Sequence, residues 1–220
     1  MKKLLSLILV LFGLFLSPLK SFAIDVIPRY VNLNPTRTIG FYQVSNGITL
    51  HKEADEKSPV VHSFTWSKDK IFPENTKFED LFILYISQRD LALMNVVDET
   101  EDWVQVIYNN STGSKGWIKK DDPYRFMSWI NFMNMYGKKY GLYELQGAPN
   151  YINDIKSAPA DNAQSLGTLN HPEKINLNVI RGNFALVNVY DLDRTPKTGF
   201  IRWRSDEGVI YFFPDIKYSK

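Results

Sequence analysis

The sequence predicts a mostly β protein of two β units joined by a short α-helix, and three observations carry this. After Ile24 the apolar residues fall in short runs rich in β-branched and aromatic side chains, separated by Gly, Asn, Asp, Ser and Pro. One stretch alone has helical spacing. A pattern of strand residues in the first half returns in the second. With 44% hydrophobic and 23% charged residues over 220 positions, the chain can bury a substantial core.

The N-terminus is expected to be an export signal. Met1-Lys2-Lys3 is a short basic start, Leu4 to Leu16 is an apolar run broken only by Ser6 and Gly13, and Ser21-Phe22-Ala23 offers small residues at a cleavage site. The run is shorter than the roughly 20 apolar residues that span a bilayer. Residues 1–23 therefore read as a Sec-type signal cleaved after Ala23, leaving a periplasmic or secreted protein that is not integral to the membrane. Lys2, Lys3 and Lys20 account for the weakly basic balance of 26 basic against 24 acidic side chains, and without them the net charge is −1. That leaves no basic field for nucleic acid. The absence of cysteine excludes a disulfide framework, thiolate metal ligation and a Cys nucleophile.

Strands are predicted, in order, over Gly40 to Val44, Thr49 to His51, Leu81 to Ile86, Leu91 to Val97, Trp103 to Tyr108 and Gly116 to Lys119 in the first half. Ile175 to Val179, Ala185 to Tyr190, Gly199 to Arg204 and Val209 to Phe213 follow in the second. Ser87-Gln88-Arg89-Asp90 and Ser205-Asp206-Glu207-Gly208 have turn composition. Between the halves, Asp122 as N-cap and Pro123 at the first helical position open a segment in which Phe126, Trp129, Ile130, Met133 and Tyr136 recur at helical spacing as far as Gly137. Met127, Phe132 and Met135 broaden its apolar surface, so the helix is expected to pack between the two units.

The internal repeat aligns Leu50 through Val61 with Ile155 through Leu166 at an offset of 105 residues. It also aligns Trp103-Val104-Gln105-Val106 with Leu186-Val187-Asn188-Val189, and Gly116-Trp117-Ile118-Lys119 with Gly199-Phe200-Ile201-Arg202, both at 83. The difference implies an insertion in the first copy, at about residues 62–90. Trp103 and Trp117 are expected to fill the first unit's interior, the alternative being that they form part of a peptide groove.

These residues resemble the bacterial SH3 (SH3b) domain family of small exported β-barrels. The resemblance rests on Leu50, the loop Glu53-Ala54-Asp55-Glu56-Lys57-Ser58-Pro59 before Val60-Val61, the strand Trp103-Val104-Gln105-Val106, and Gly116-Trp117-Ile118. The second copy keeps the apolar spacing, with Leu186 and Phe200 for the two tryptophans. The resemblance implies two SH3-like small β-barrels, at 24–120 and 140–220, joined by a linker helix at 121–139. It also implies a non-catalytic module that binds cell-wall peptide or glycan, or a segment of an envelope protein.

The residues supply little for catalysis. His51, His62 and His171 have no partner at metal-ligand or base-orienting spacing, and no nucleophile elbow, phosphate loop or dinucleotide fingerprint occurs. No catalytic residue, metal ligand or cofactor is predicted. Trp66, in the polar stretch Thr65 to Lys70, is read as a loop residue that either stands exposed as a ligand contact, with Tyr42, Tyr85 and Tyr108 lining a groove beside it, or tucks in as an anchor of the loop. Two further readings remain open at this point: a structural or assembly protein of the envelope that docks a partner or itself, and a periplasmic hydrolase with an unrecognised site.

Overall fold

The computed structural model describes residues 25–30, 37–122, 125–170, 172, 174–190 and 196–216, so the predicted signal lies outside the described residues. The chain is mostly β, in two antiparallel sheets. The first holds β1 (Asp25–Val26), β2 (Gly40–Val44), β3 (Gly47–His51), β4 (Val60–Ser67), β5 (Lys70–Phe72), β6 (Leu84–Ile86), β7 (Leu91–Glu99), β8 (Trp103–Asn109), β9 (Ser114–Lys119) and β10 (Phe126–Ser128). A one-turn helix, α1 (Phe78–Leu81), lies between β5 and β6. The second sheet holds β11 (Leu142–Glu144), β12 (Asp154–Lys156), β13 (Ser165–Thr168), β14 (Lys174–Arg181), β15 (Phe184–Tyr190), β16 (Pro196–Arg202) and β17 (Phe212–Pro214). Among the described residues neither sheet closes on itself: the second ends in β13 and β17, and the first runs out into β5 beyond β4.

The two sheets share a connectivity. In the first, β10, β2, β7, β8, β9, β3 and β4 are successive neighbours; in the second, β17, β11, β14, β15, β16, β12 and β13 follow the same chain logic. The β3–β4 ladder shifts register between Leu50 and His51, and the β12–β13 ladder shifts between Ile155 and Lys156, 105 residues on. Within the loops of these hairpins, Lys52 N–H bonds the Pro59 carbonyl, Asp55 that of Glu53 and Ser58 that of Asp55. Ser157, Ala160 and Ala163 repeat these bonds to Gln164, Ala158 and Ala160, again 105 residues on.

Register changes one part of the sequence alignment. Val106 faces Gly116 across β8–β9, and Val187 faces Gly199 across β15–β16. The shift between Val96 and Asp98 on β7 likewise returns between Leu177 and Val179 on β14. The offset for β7 and β8 is therefore 81 while that for β9 stays 83, and Phe184 rather than Leu186 takes the place of Trp103. β4 belongs to the shared pattern, so the extra segment of the first sheet is narrower than 62–90: it comprises β5, α1 and β6, between Ser67 and Leu91.

The helix starts later than the sequence predicts. Phe126–Ser128 is extended and pairs with β2, where the missing side chain of Gly40 admits the Met127 carbonyl: a Cβ there would lie 2.2 Å from that oxygen. Ser128 is the N-cap, its Oγ accepting from Asn131 N–H at 3.3 Å, and Trp129–Phe132, Met133–Gly137 (a π-helical turn) and Lys138–Tyr140 run on as one helix, α2. Gly141, at φ 88°, ends it rather than Gly137. The buried face of α2 meets both sheets. Phe132 lies 4.9 Å from Phe41 of β2 and 5.1 Å from Phe213 of β17, and Trp129 anchors the same cluster with its indole N–H on Thr38 Oγ1 at 2.8 Å.

A second cluster fills the first sheet alone, from Leu50, Val104, Val106 and Ile118 to Phe78, Leu81, Phe82 and Tyr85 of the extra segment. Side chains alternate along a strand. With Val104 and Ile118 turned to that cluster, Trp103 and Trp117 take the opposite face, buried but outside the core they were expected to fill.

Candidate functional site

The four aromatic residues singled out in the sequence do not form one groove. Trp66 is not a loop residue: it lies on β4 at 6% exposure, edge-on to Phe82 at 5.0 Å. Val60–Ser67 is an alternating strand whose inward positions are Phe64 and Trp66, and the polar residues around Trp66 are its outward partners. Tyr85 is likewise interior, stacked on Phe78 at 4.6 Å, with its hydroxyl donating to the Ser67 carbonyl at 3.0 Å. Tyr108 sits apart, half-buried beside His62 and Phe64. Tyr42 borders a cleft.

That cleft, about 330 Å³, is walled by β2, β3 and β9, with Tyr42, His51, Glu56, Trp103, Lys119 and Asp121 as its chemically distinctive lining. The Tyr42 hydroxyl donates to Asp121 Oδ1 at 2.5 Å and accepts from the Asp121 and Asp122 amides at 3.0 and 3.3 Å. Burial first, and then the Asp121 carboxylate, push its pKa up to about 12. Asp121 is held in turn by Arg125 Nη1 at 2.6 Å. His51 sets its ring edge-on to Trp103 at 5.4 Å, and its Nδ1 donates to the Ser58 carbonyl at 3.0 Å, which fixes the loop after β3. At the rim Glu56 pairs with Lys119. This hydrogen-bonded ammonium lowers the Glu56 pKa.

The second sheet carries a cleft of about 630 Å³ in the corresponding place, lined among others by Tyr151, Lys156, Asp161, Arg202, Asp206 and Tyr211. Lys156 stands 105 residues beyond His51 and Asp161 105 beyond Glu56, while Arg202 stands 83 beyond Lys119. Asp161 pairs with Arg202 as Glu56 does with Lys119. Arg202 also reaches Asp206 at 2.5 Å and lies 5.5 Å from the ring of Phe184, the residue in the place of Trp103. Tyr151 is 64% exposed and shares a 2.8 Å hydroxyl contact with buried Tyr211, whose pKa is raised chiefly by burial. Asp154 is lowered by its hydrogen bond from Lys156 and then by that from Ser165.

Each cleft thus combines aromatic surface with an acid–base pair that ties the first hairpin loop to the strand ending the repeat. Such a surface holds a ligand through apolar contact and paired polar groups. Sequence reasoning passed over Glu56, Lys119, Asp161, Arg202, Tyr151 and Tyr211. The two repeat offsets already placed the acids in one column and the bases in another. Among the described residues no three His, Asp or Glu side chains gather as a metal site, and no helix is long and apolar enough to cross a membrane. No protein-family model and no curated protein matches the chain.

Proposed function

We propose that the protein is a duplicated, SH3-like binding module of the bacterial envelope, exported and non-catalytic, which holds an extended ligand in two like clefts. The ligand class is a cell-wall peptide or glycan strand, or an extended segment of an envelope protein. The observation that carries this reading is the recurrence of one cleft with one ion pair at one place in both sheets. A packing accident has no reason to repeat the acid, the base and the loop hydrogen bonds that aim them. Shared strand order and shared register shifts support descent of the two halves from one unit. The SH3b resemblance and the predicted export signal supply the setting, by analogy of fold and by sequence.

Incubation with purified cell-wall sacculi, with serum albumin as control, tests the proposal. The protein is expected to sediment with the sacculi and to be displaced by soluble fragments of the wall. Sedimentation no greater than that of albumin would overturn it for cell-wall ligands and leave the envelope-protein class, tested by cross-linking in intact cells.

A further inference from the structure

The second half holds a further recess that is neither of these clefts. It lies between β11 and the connection from β13 to β14, has a volume of about 720 Å³, and shares only Asn150 with the neighbouring charged cleft.

The lining differs in kind from that of the other two clefts. Four carboxamide residues, Gln146, Asn150, Asn153 and Asn170, line it together with Tyr140 and Tyr143. Among the described residues Glu144 and Asp215 add two negative charges against the one positive charge of Lys174. Each carboxamide presents a donor and an acceptor side by side, as a pair of vicinal hydroxyls does, and tyrosine rings give a flat apolar face with a polar tip. Asn170 is engaged by Thr168 at 3.2 Å, but among the described residues the side chains of Gln146 and Asn150 make no hydrogen bond. In the wall itself Asn153 Oδ1 is buried with no donor among the described residues. Gln146 and Asn150 are both exposed, and their carboxamides offer donors and acceptors to the hydroxyls of a ligand. An anionic ligand would find one cation and two anions, and an apolar one would strand the amides.

We propose that this recess binds a neutral oligosaccharide, separately from the two charged clefts. It rests on the envelope reading only for where such a sugar would be met; the recess is argued from its own lining.

The test is a titration of isotope-labelled protein with the tetramer of N-acetylglucosamine and with maltotetraose, following side-chain amide signals by NMR. Saturable shifts at Gln146, Asn150 and Asn153 with either sugar are expected. The exposed-site double variant Gln146→Ala/Asn150→Ala should weaken binding about fivefold or more while the rest of the spectrum stays that of the folded protein. In the double variant Glu56→Lys/Asp161→Lys the Gln146 and Asn150 signals should still shift saturably with the sugar, so this site and the paired clefts fail or succeed separately. Absence of saturable shifts with both sugars, or equal affinity in the Gln146→Ala/Asn150→Ala variant, would overturn the proposal.

Discussion

Trp66 and Tyr42 show how one aromatic side chain differs from another once its strand is known. Trp66 is closed in by Phe82 and the rest of the first sheet's core, so Trp66→Ala should destabilise the protein by about 3–5 kcal/mol, the cost of emptying a buried aromatic site. Denaturant unfolding checks this, and a midpoint shift no larger than that of a surface substitution would contradict it. Tyr42 offers a titration instead. Its phenol is kept neutral by burial and by Asp121, so the folded-state pKa, about 12, stands above the ordinary value of 10.0. A raised pKa means that the folded state binds the proton more tightly. Its contribution to stability is therefore intact below pH 10 and is lost as pH rises through about 12. Melting curves across that range should fall less steeply for Tyr42→Phe than for the wild type.

At the scale of elements, Gly116 within β9 and Gly199 within β16 make a matched pair. A Cβ on Gly116 would touch Leu50 at 3.2 Å and Val61 at 3.3 Å. One on Gly199 would meet Ile155 at 2.5 Å, the Lys156 carbonyl at 2.8 Å and Leu166 at 3.4 Å. Ile155 and Leu166 stand 105 residues beyond Leu50 and Val61, so the same contact is built twice, more tightly in the second sheet. Gly199→Ala should cost about 1–3 kcal/mol, the usual range for overpacking, and Gly116→Ala less, because side chains alone must give way there. Unfolding midpoints in the reverse order would contradict the register.

The same elements show what the sequence made legible. The strands with plain apolar runs, such as Gly40–Val44 and Phe184–Tyr190, stand where periodicity puts them, within a residue or so. β4 escaped because its outward polar residues imitate a loop. The start of α2 was misplaced because Asp122-Pro123 is a strong local helix signal. Tertiary pairing of Phe126–Ser128 with Gly40–Val44 overrides it. The shift from Leu186 to Phe184 reflects a register change that apolar spacing alone does not report. The clefts were half legible: offsets in the sequence aligned Glu56 with Asp161 and Lys119 with Arg202, but only the fold brings each acid to its base.

Over the whole molecule, α2 joins the two sheets through a shared cluster, while each sheet keeps its own cleft and its own ion pair. Two like sites on one body gain avidity for a repeating ligand, because the second contact becomes intramolecular once the first is made. The cell-wall polymer of the proposed function has such a repeat. Glu56 and Asp161 are exposed partners in pairs of a kind that add little to stability, so reversing them tests binding without emptying a core. The most direct measurement is the affinity for purified sacculi of the wild type, Glu56→Lys, Asp161→Lys and the double variant, with melting temperatures recorded alongside. The account predicts weaker binding in each single variant, retention near the albumin control in the double variant, and nearly unchanged melting throughout; a folded double variant that binds sacculi as tightly as the wild type would contradict it.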